Sequence, residues 1–232
     1  MEKTVFLTHN DSSFMLVVNK NPKAKRMRLR IDRRRKVPVL VLNKRMKESD
    51  GIAFALKNAG WIQTQLAKLP EEKVFCNGLI FSLFGENAVI HHSPESKRGV
   101  WLENGVLFVS GHEEHLKRRV LDFIKTTLKT KAKQKADDFA QILGVKAGKI
   151  TIRDTKSRWG SCNKKGDLSL SWRLALAPRE ILEYVIAHEV SHIREMNHSD
   201  KFWKTVEILQ PSYKLHEKWL RKNADFLCGF SV

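Results

Sequence analysis

His188 and His192 stand four residues apart in Ala187-His-Glu-Val-Ser-His-Ile-Arg-Glu-Met-Asn-His-Ser199. Residues at that spacing lie one turn apart on the same helix face. Ile181, Leu182, Val185, Ile186 and Ile193 form an apolar stripe at helical spacing, so the helix packs into a core. Pro178 occupies the position that opens a helix. His198 lies six residues beyond His192, and a continuing helix would carry it away from the other two. The chain must therefore end the helix and turn. Asn197 tolerates left-handed backbone angles, and Ser199 or Asp200 can cap a following helix.

Two imidazoles on one face, with a third brought back by a turn, suit a single divalent cation. Three protein ligands with one open position is the usual complement of a catalytic zinc. Zn2+ is the expected metal, and another divalent transition metal would suit the same donors. Glu189, beside the first ligand, is placed to act as general base on a water. Glu207 or Glu217 could replace His198 as third ligand. Glu183, Glu195, Asp200 and Glu207 are candidates to orient the ligand rings. Four residues are candidates for substrate binding: Arg158, Trp172, Tyr213 and His216. Arg158 could clamp a phosphate or carboxylate, or tie down a loop. Trp172, like Trp159, reads as core before it reads as a stacking platform. Tyr213 and His216 could stabilise an oxyanion, or simply lie on the surface of the last helix. Phe202 and Trp203 read as packing for the helix after the third histidine.

The pattern along the chain predicts an α+β protein. A strand-rich N-terminal domain with one helix spans 1–112, and a mainly helical domain with a small sheet spans 113–232. Strands are expected over Phe14–Asn19, Met27–Asp32, Val37–Leu42, Val74–Phe84, Ala88–His92, Gly99–Leu102 and Val106–Ser110. The run Arg33 to Lys36 falls where a hairpin turn would lie, and Asn104-Gly105 is a two-residue hairpin signal. One helix is expected from Glu48 to Leu69, closed by Pro70. Another runs from Glu113 to Leu143, ended by Gly144. Strands at Ile150–Arg153 and Leu168–Leu174 then flank a loop, and helices follow from Pro178, from Ser199 to Leu209 and from Pro211 to Asp225.

The net charge is +18, with 19 Lys and Arg against 10 Asp and Glu before residue 113 and 24 against 15 after it. Such a field favours an anionic substrate or peptide, a nucleotide or a nucleic acid, or serves solubility alone. Cys76, Cys162 and Cys228 form no CxxC pair, so neither a disulfide framework nor a cysteine zinc site is indicated. No apolar run reaches the ~18–20 residues of a membrane span, and the N-terminus lacks signal-peptide features. No membrane partner and a cytoplasmic location are expected.

Three segments together carry a family resemblance: Arg158-Trp-Gly-Ser-Cys162, Leu170-Ser-Trp-Arg-Leu174, and His188-Glu-x-x-His-x5-His198-Ser-x-x-Phe202-Trp203. In these the chain resembles the YgjP-like metal-dependent hydrolases of the zincin superfamily, distantly similar to SprT-like proteases. The resemblance implies zinc on His188, His192 and His198, a base at Glu189 and a metallopeptidase-type hydrolase. A nucleoside-triphosphate pyrophosphatase using the same metal site is the alternative, and a nucleic-acid-associated protein with a structural zinc is a third reading. It also implies that Arg158–Cys162 form the loop before a strand, Leu168–Leu174, that receives an extended peptide by edge addition. The third-histidine spacing matches the metzincins, but Glu195 stands where they carry Gly and no Met follows Met196, so this is not a metzincin.

Overall fold

Alternation with period two sends successive side chains to opposite faces of a strand, and near the N-terminus it builds a sheet with one fully covered face. The computed structural model describes every residue except 1, 10, 11, 33, 34, 70, 156, 157 and 232, and the side chain at position 12. Strands β1 (Glu2–His9), β2 (Ser12–Lys20), β3 (Arg28–Asp32) and β4 (Val37–Leu42) form a sheet of order β1-β2-β4-β3. The β2–β4 pair is parallel, and the others are antiparallel. Leu7, Phe14, Leu16, Leu40 and Leu42 share one face and pack with Ala55, Ala59 and Ile62 from helices α1 (Glu48–Lys57) and α2 (Ala59–Ala67). Gly51 lets α1 approach closely, since a Cβ there would lie 2.8 Å from Leu40 Cδ2.

The single helix expected over 48–69 is instead two. Asn58 breaks it with φ −103° and ψ 17°, and its side-chain amide donates to the Phe54 carbonyl at 2.8 Å. A side-chain donor competing for a helix carbonyl, followed at once by Ala-Gly, accounts for the break. Strand β1 was not anticipated. Pro70, expected to close the helix, and Arg33 and Arg34 of the expected turn lie outside the described residues.

A second sheet follows: β5 (Ile80–Leu83), β6 (Glu86–Ser93), β7 (Val100–Glu103) and β8 (Val106–Ser110), in order β5-β6-β8-β7. Asn104 and Gly105 both take positive φ, as the β7–β8 hairpin requires. Only Ile80–Leu83 of the expected strand Val74–Phe84 is extended into this sheet. Helix α3 (Leu116–Leu143) ends at Gly144 with φ 66°. Strands β9 (Ile150–Arg153), β10 (Gly160–Cys162) and β11 (Leu168–Ser171) form a third sheet of order β10-β11-β9. Helices α4 (Arg179–Arg194), α5 (Asp200–Leu209) and α6 (Tyr213–Cys228) complete the chain.

The α+β class and the passage from strands to helices are as expected. The chain divides, however, between Glu71 and Glu72 rather than at 112/113. The reason lies in the β5–β8 sheet, whose inner residues Phe81, Ile90, Leu107 and Val109 join one apolar core with Val120, Leu128, Leu170, Ile186 and Val206. A second difference concerns Leu168–Leu174. The strand stops at Ser171, and Trp172–Leu176 form a fully buried 3-10 turn. Arg173 in this turn has no exposed side-chain surface. Its guanidinium pairs with Asp154 and donates to the Phe230 carbonyl at 3.0 Å, tying the turn to the chain end. Removing it would leave the buried Phe230 carbonyl without its donor, whereas Asp154 reaches solvent, so Arg173→Ala is expected to lower unfolding free energy by about 2 kcal/mol, read by urea denaturation.

Candidate metal centre

Helix α4 places Tyr184, His188 and His192 at four-residue intervals on one face. The helix stops at Arg194. Residues 195–199 reverse the chain, and Ser199 caps α5 by accepting from the Phe202 N–H at 3.5 Å. That reversal returns His198 to the other two. One ligand atom from each of His188, His192 and His198 lies within 4.8 Å of the others. Among the described residues no carboxylate joins this group, so neither Glu207 nor Glu217 takes the place of His198.

The donor chemistry suits a divalent cation. The Nε2 atoms of His188 and His198 face each other at 3.1 Å. Burial holds His188 well below its ordinary pKa, at about 4, with the neighbouring His192 and His198 adding to the effect. Its ring is therefore neutral and its lone pair available. His192 is pushed down too, chiefly by burial. Its Nδ1 lies 3.1 Å from the Glu195 carbonyl. A carbonyl only accepts, so Nδ1 carries the proton and Nε2 is left for a metal. Glu195 thus orients a ligand ring, as anticipated, but through its backbone rather than its carboxylate. Glu183 belongs elsewhere, paired with Arg179 at 2.9 Å and Lys135 at 3.6 Å.

Phe202 forms the floor. Its fully buried ring lies 4.9, 4.5 and 4.7 Å from the rings of His188, His192 and His198. Trp203 stacks on His198 at 5.9 Å, and on its other neighbour, Tyr213, at 5.3 Å. The packing expected of Phe202 and Trp203 is thus packing against the three histidine rings themselves.

Glu189 is buried, and burial pushes its carboxyl up to about 7 against the opposing pull of the Arg158 charge. Gly160 of β10 lies against it. A Cβ at position 160 would come within 2.4 Å of Glu189 Oε1. A cavity of about 220 Å³ opens beside Glu189 and His188, walled by Trp159, Tyr184, Val185 and Leu220. Burial raises the Tyr184 hydroxyl to about 12 and the Cys162 thiol to about 11, so both keep their protons at neutral pH.

The other sequence candidates scatter. Trp172 is fully buried, its indole N–H donating to Asp154 at 3.2 Å, and it does not line the cavity. Tyr213 is buried under Trp203. His216 lies 6.4 Å from Tyr184, ring to ring. Arg158 is exposed and acts on Glu189 through its charge. Tyr184 and Gly160 were not anticipated. The four-residue step from Tyr184 to His188 was the available signal for the first, and the second was marked only by its place in the Arg158–Cys162 motif, without a role.

The strand expected to present an edge, β11, is the central one, flanked by β9 and β10. The edge is β10, which packs beside α4. Ser171 N–H donates to the Trp159 carbonyl, and Asn163 N–H to the Asp167 carbonyl. By the alternation of an antiparallel ladder, the backbone groups of Gly160 and Cys162 point away from β11.

A family model described as YgjP-like, metallopeptidase domain, matches residues 25–223. The chain belongs to the YgjP-like family. It is thus a metal-dependent hydrolase of the peptidase type. Among solved structures, the metallopeptidase zymogen of Pyrococcus abyssi abylysin is 26% identical with a TM-score of 0.36, over 39% of this chain and 93% of that one. No curated protein matches the chain. No helix among the described residues is long and apolar enough to cross a membrane.

Two outcomes follow from the centre. The purified protein is expected to bind one zinc equivalent by elemental analysis, and His198→Ala to weaken affinity at least ~10-fold in a chelator competition. Undiminished affinity would remove His198 from the ligand set. The second concerns pH. His188 titrates at about 4 in the fold against an ordinary 6.5, so between those values the unfolded chain takes a proton that the fold refuses. The His188 contribution to the stability of metal-free protein is therefore full above pH 6.5 and lost progressively towards pH 4, while Glu189, raised from 4.5 to about 7, contributes the opposite slope between those values. His188→Gln should abolish the first contribution, so that in thermal melts the variant gains on the parent as pH falls from 6.5 to 4.

Proposed function

We propose that the protein is a zinc metallopeptidase in which His188, His192 and His198 hold the metal and Glu189 is the general base. The observation that carries this reading is the buried Glu189 carboxylate, packed against Gly160 of β10 and lining one cavity with His188 of the imidazole trio. Zinc held by the trio would supply Lewis acidity, lowering the pKa of water and polarising a carbonyl oxygen.

The chain's own residues do the rest. The free edge of β10 offers N–H and C=O groups at Gly160 and Cys162 to an extended peptide, which would add as a further strand. That places a peptide bond alongside the α4 face that carries Glu189. Glu189 takes the proton of the attacking water on its carboxylate and delivers it to the leaving amine. A carboxyl pushed up to about 7 by burial suits both transfers near neutral pH. The Tyr184 hydroxyl, kept protonated, is a donor for the developing oxyanion. The apolar walls of Trp159, Val185 and Leu220 fit a hydrophobic side chain next to the scissile bond. Among the described residues that line the cavity there is no Lys or Arg to hold a triphosphate, which favours a peptide over a nucleotide.

Zinc-loaded protein should cleave unfolded peptides and release no pyrophosphate from a nucleoside-triphosphate panel. Pyrophosphate release without peptide cleavage would overturn the peptidase assignment in favour of the pyrophosphatase one. Glu189→Gln should retain zinc and lose at least ~100-fold in kcat. Gly160→Ala should do the same, because its methyl group displaces the carboxylate while leaving the trio intact. Full activity in Gly160→Ala would show that the carboxylate position does not matter.

A further inference from the structure

Charge is not spread evenly once the chain is divided where its contacts divide. Residues 1–71 hold 16 Lys and Arg against 6 Asp and Glu, a net +10, while residues 72–232 hold 27 against 19, a net +8. The smaller unit therefore carries the larger excess on less than half as many residues. Within it, two loops leave the same end of the sheet, because β2 and β4 run parallel and finish side by side at Lys20 and Leu42.

The two loops are built alike. Asn21 accepts from the Lys23 N–H through its side chain at 2.9 Å, and from the Ala24 N–H through its carbonyl at 3.1 Å. Asn43 does the same with Arg45 at 3.0 Å and Met46 at 3.1 Å. The loops are also fastened together. Asn21 N–H donates to the Leu42 carbonyl at 2.8 Å, and the Asn43 amide donates to the Ala24 carbonyl at 2.7 Å. Each loop turns its methionine, Met27 or Met46, onto the apolar core. What remains outside is cationic: Lys23, Lys25 and Arg26 on one loop, Lys44, Arg45 and Lys47 on the other, all exposed. No ion pair engages any of the six among the described residues. The nearby acid Glu48 is taken by Lys3 at 2.7 Å, and Asp50 is exposed on the first turn of α1.

We infer that this end of the sheet binds the phosphodiester backbone of duplex nucleic acid. Six exposed cations on two braced turns offer a fixed array of charge to a polyanion whose phosphates lie at regular spacing. Residues 20–53 contain no Phe, Trp or Tyr, so there is no platform for stacking unpaired bases, and recognition goes to the backbone rather than to a single strand. Both methionines face inward, so the loops lack the apolar side chains that would add a hydrophobic anchor to a charged membrane contact.

The test is fluorescence anisotropy of the full chain with a labelled DNA duplex of random sequence across a salt series. Binding should weaken linearly in log K against log salt. The quadruple variant Lys23→Gln, Lys25→Gln, Lys44→Gln, Arg45→Gln should bind at least ~10-fold more weakly, with a salt slope shallower by about 3–4. Its thermal melt should be unchanged, since all four positions are exposed. A control set at Lys129, Lys146, Lys164 and Lys165, exposed lysines of the larger unit, should lose far less. Any of four results would overturn the inference: no duplex binding at low salt, a quadruple variant that binds like the parent, equal loss in the control set, or tighter binding to phosphatidylserine vesicles or polyglutamate than to duplex.

Discussion

The chain reversal between Arg194 and Asp200 is the constraint on which the metal centre rests. Helix α4 by itself sets only two imidazoles in line. The third arrives because the helix stops, the Glu195 carbonyl takes up the His192 ring, and Ser199 caps the next helix so that Phe202 falls beneath all three rings. One short segment therefore ends one helix, starts another, orients one ligand and supplies a second. Its residues are exposed, but the rings they hold are fixed by a buried aromatic floor.

Around that segment the carboxyl-bearing partner comes from the same helix and the backbone-bearing one from distant sequence. Glu189 lies on the same helix as two of the histidines, yet its position is set by Gly160, about thirty residues earlier on an edge strand. The absence of a side chain at 160 is as necessary to the arrangement as the presence of one at 189. Burial then does the electrostatic work, holding three groups in their neutral forms: His188, Tyr184 and Cys162.

Much of this was legible in the sequence, for physical reasons that also explain the failures. Four-residue spacing and a preceding apolar stripe determine a helix face almost without tertiary help, so α4 and its two histidines could be read directly. The turn to His198 was legible in Ser199, which caps α5, but Asn197, expected to turn the chain through left-handed angles, does not take a positive φ. Strand β10 could not be read, because Gly-Ser-Cys has neither alternation nor bulk and becomes a strand only by pairing with β11. The break at Asn58 was masked by good helix formers on both sides. The division at residue 71 was invisible because a sheet's allegiance depends on which helix covers it, and that is a matter of packing rather than composition. Trp172 misled for the opposite reason: its motif reads as one strand, but the strand ends one residue before it and the buried 3-10 turn carries it inward.

The shared seat of the three imidazoles on Phe202 has a further consequence. In small zinc domains the cation organises the chain, and its loss unfolds them. Here the rings already pack against one buried aromatic ring, two of them edge-on, in a core that extends through α3, α4 and α5. Loading such a pre-shaped socket spends little ordering entropy, so occupancy is governed by competition between protons and cations for the same nitrogens, and the emptied protein keeps its shape while it waits to be refilled.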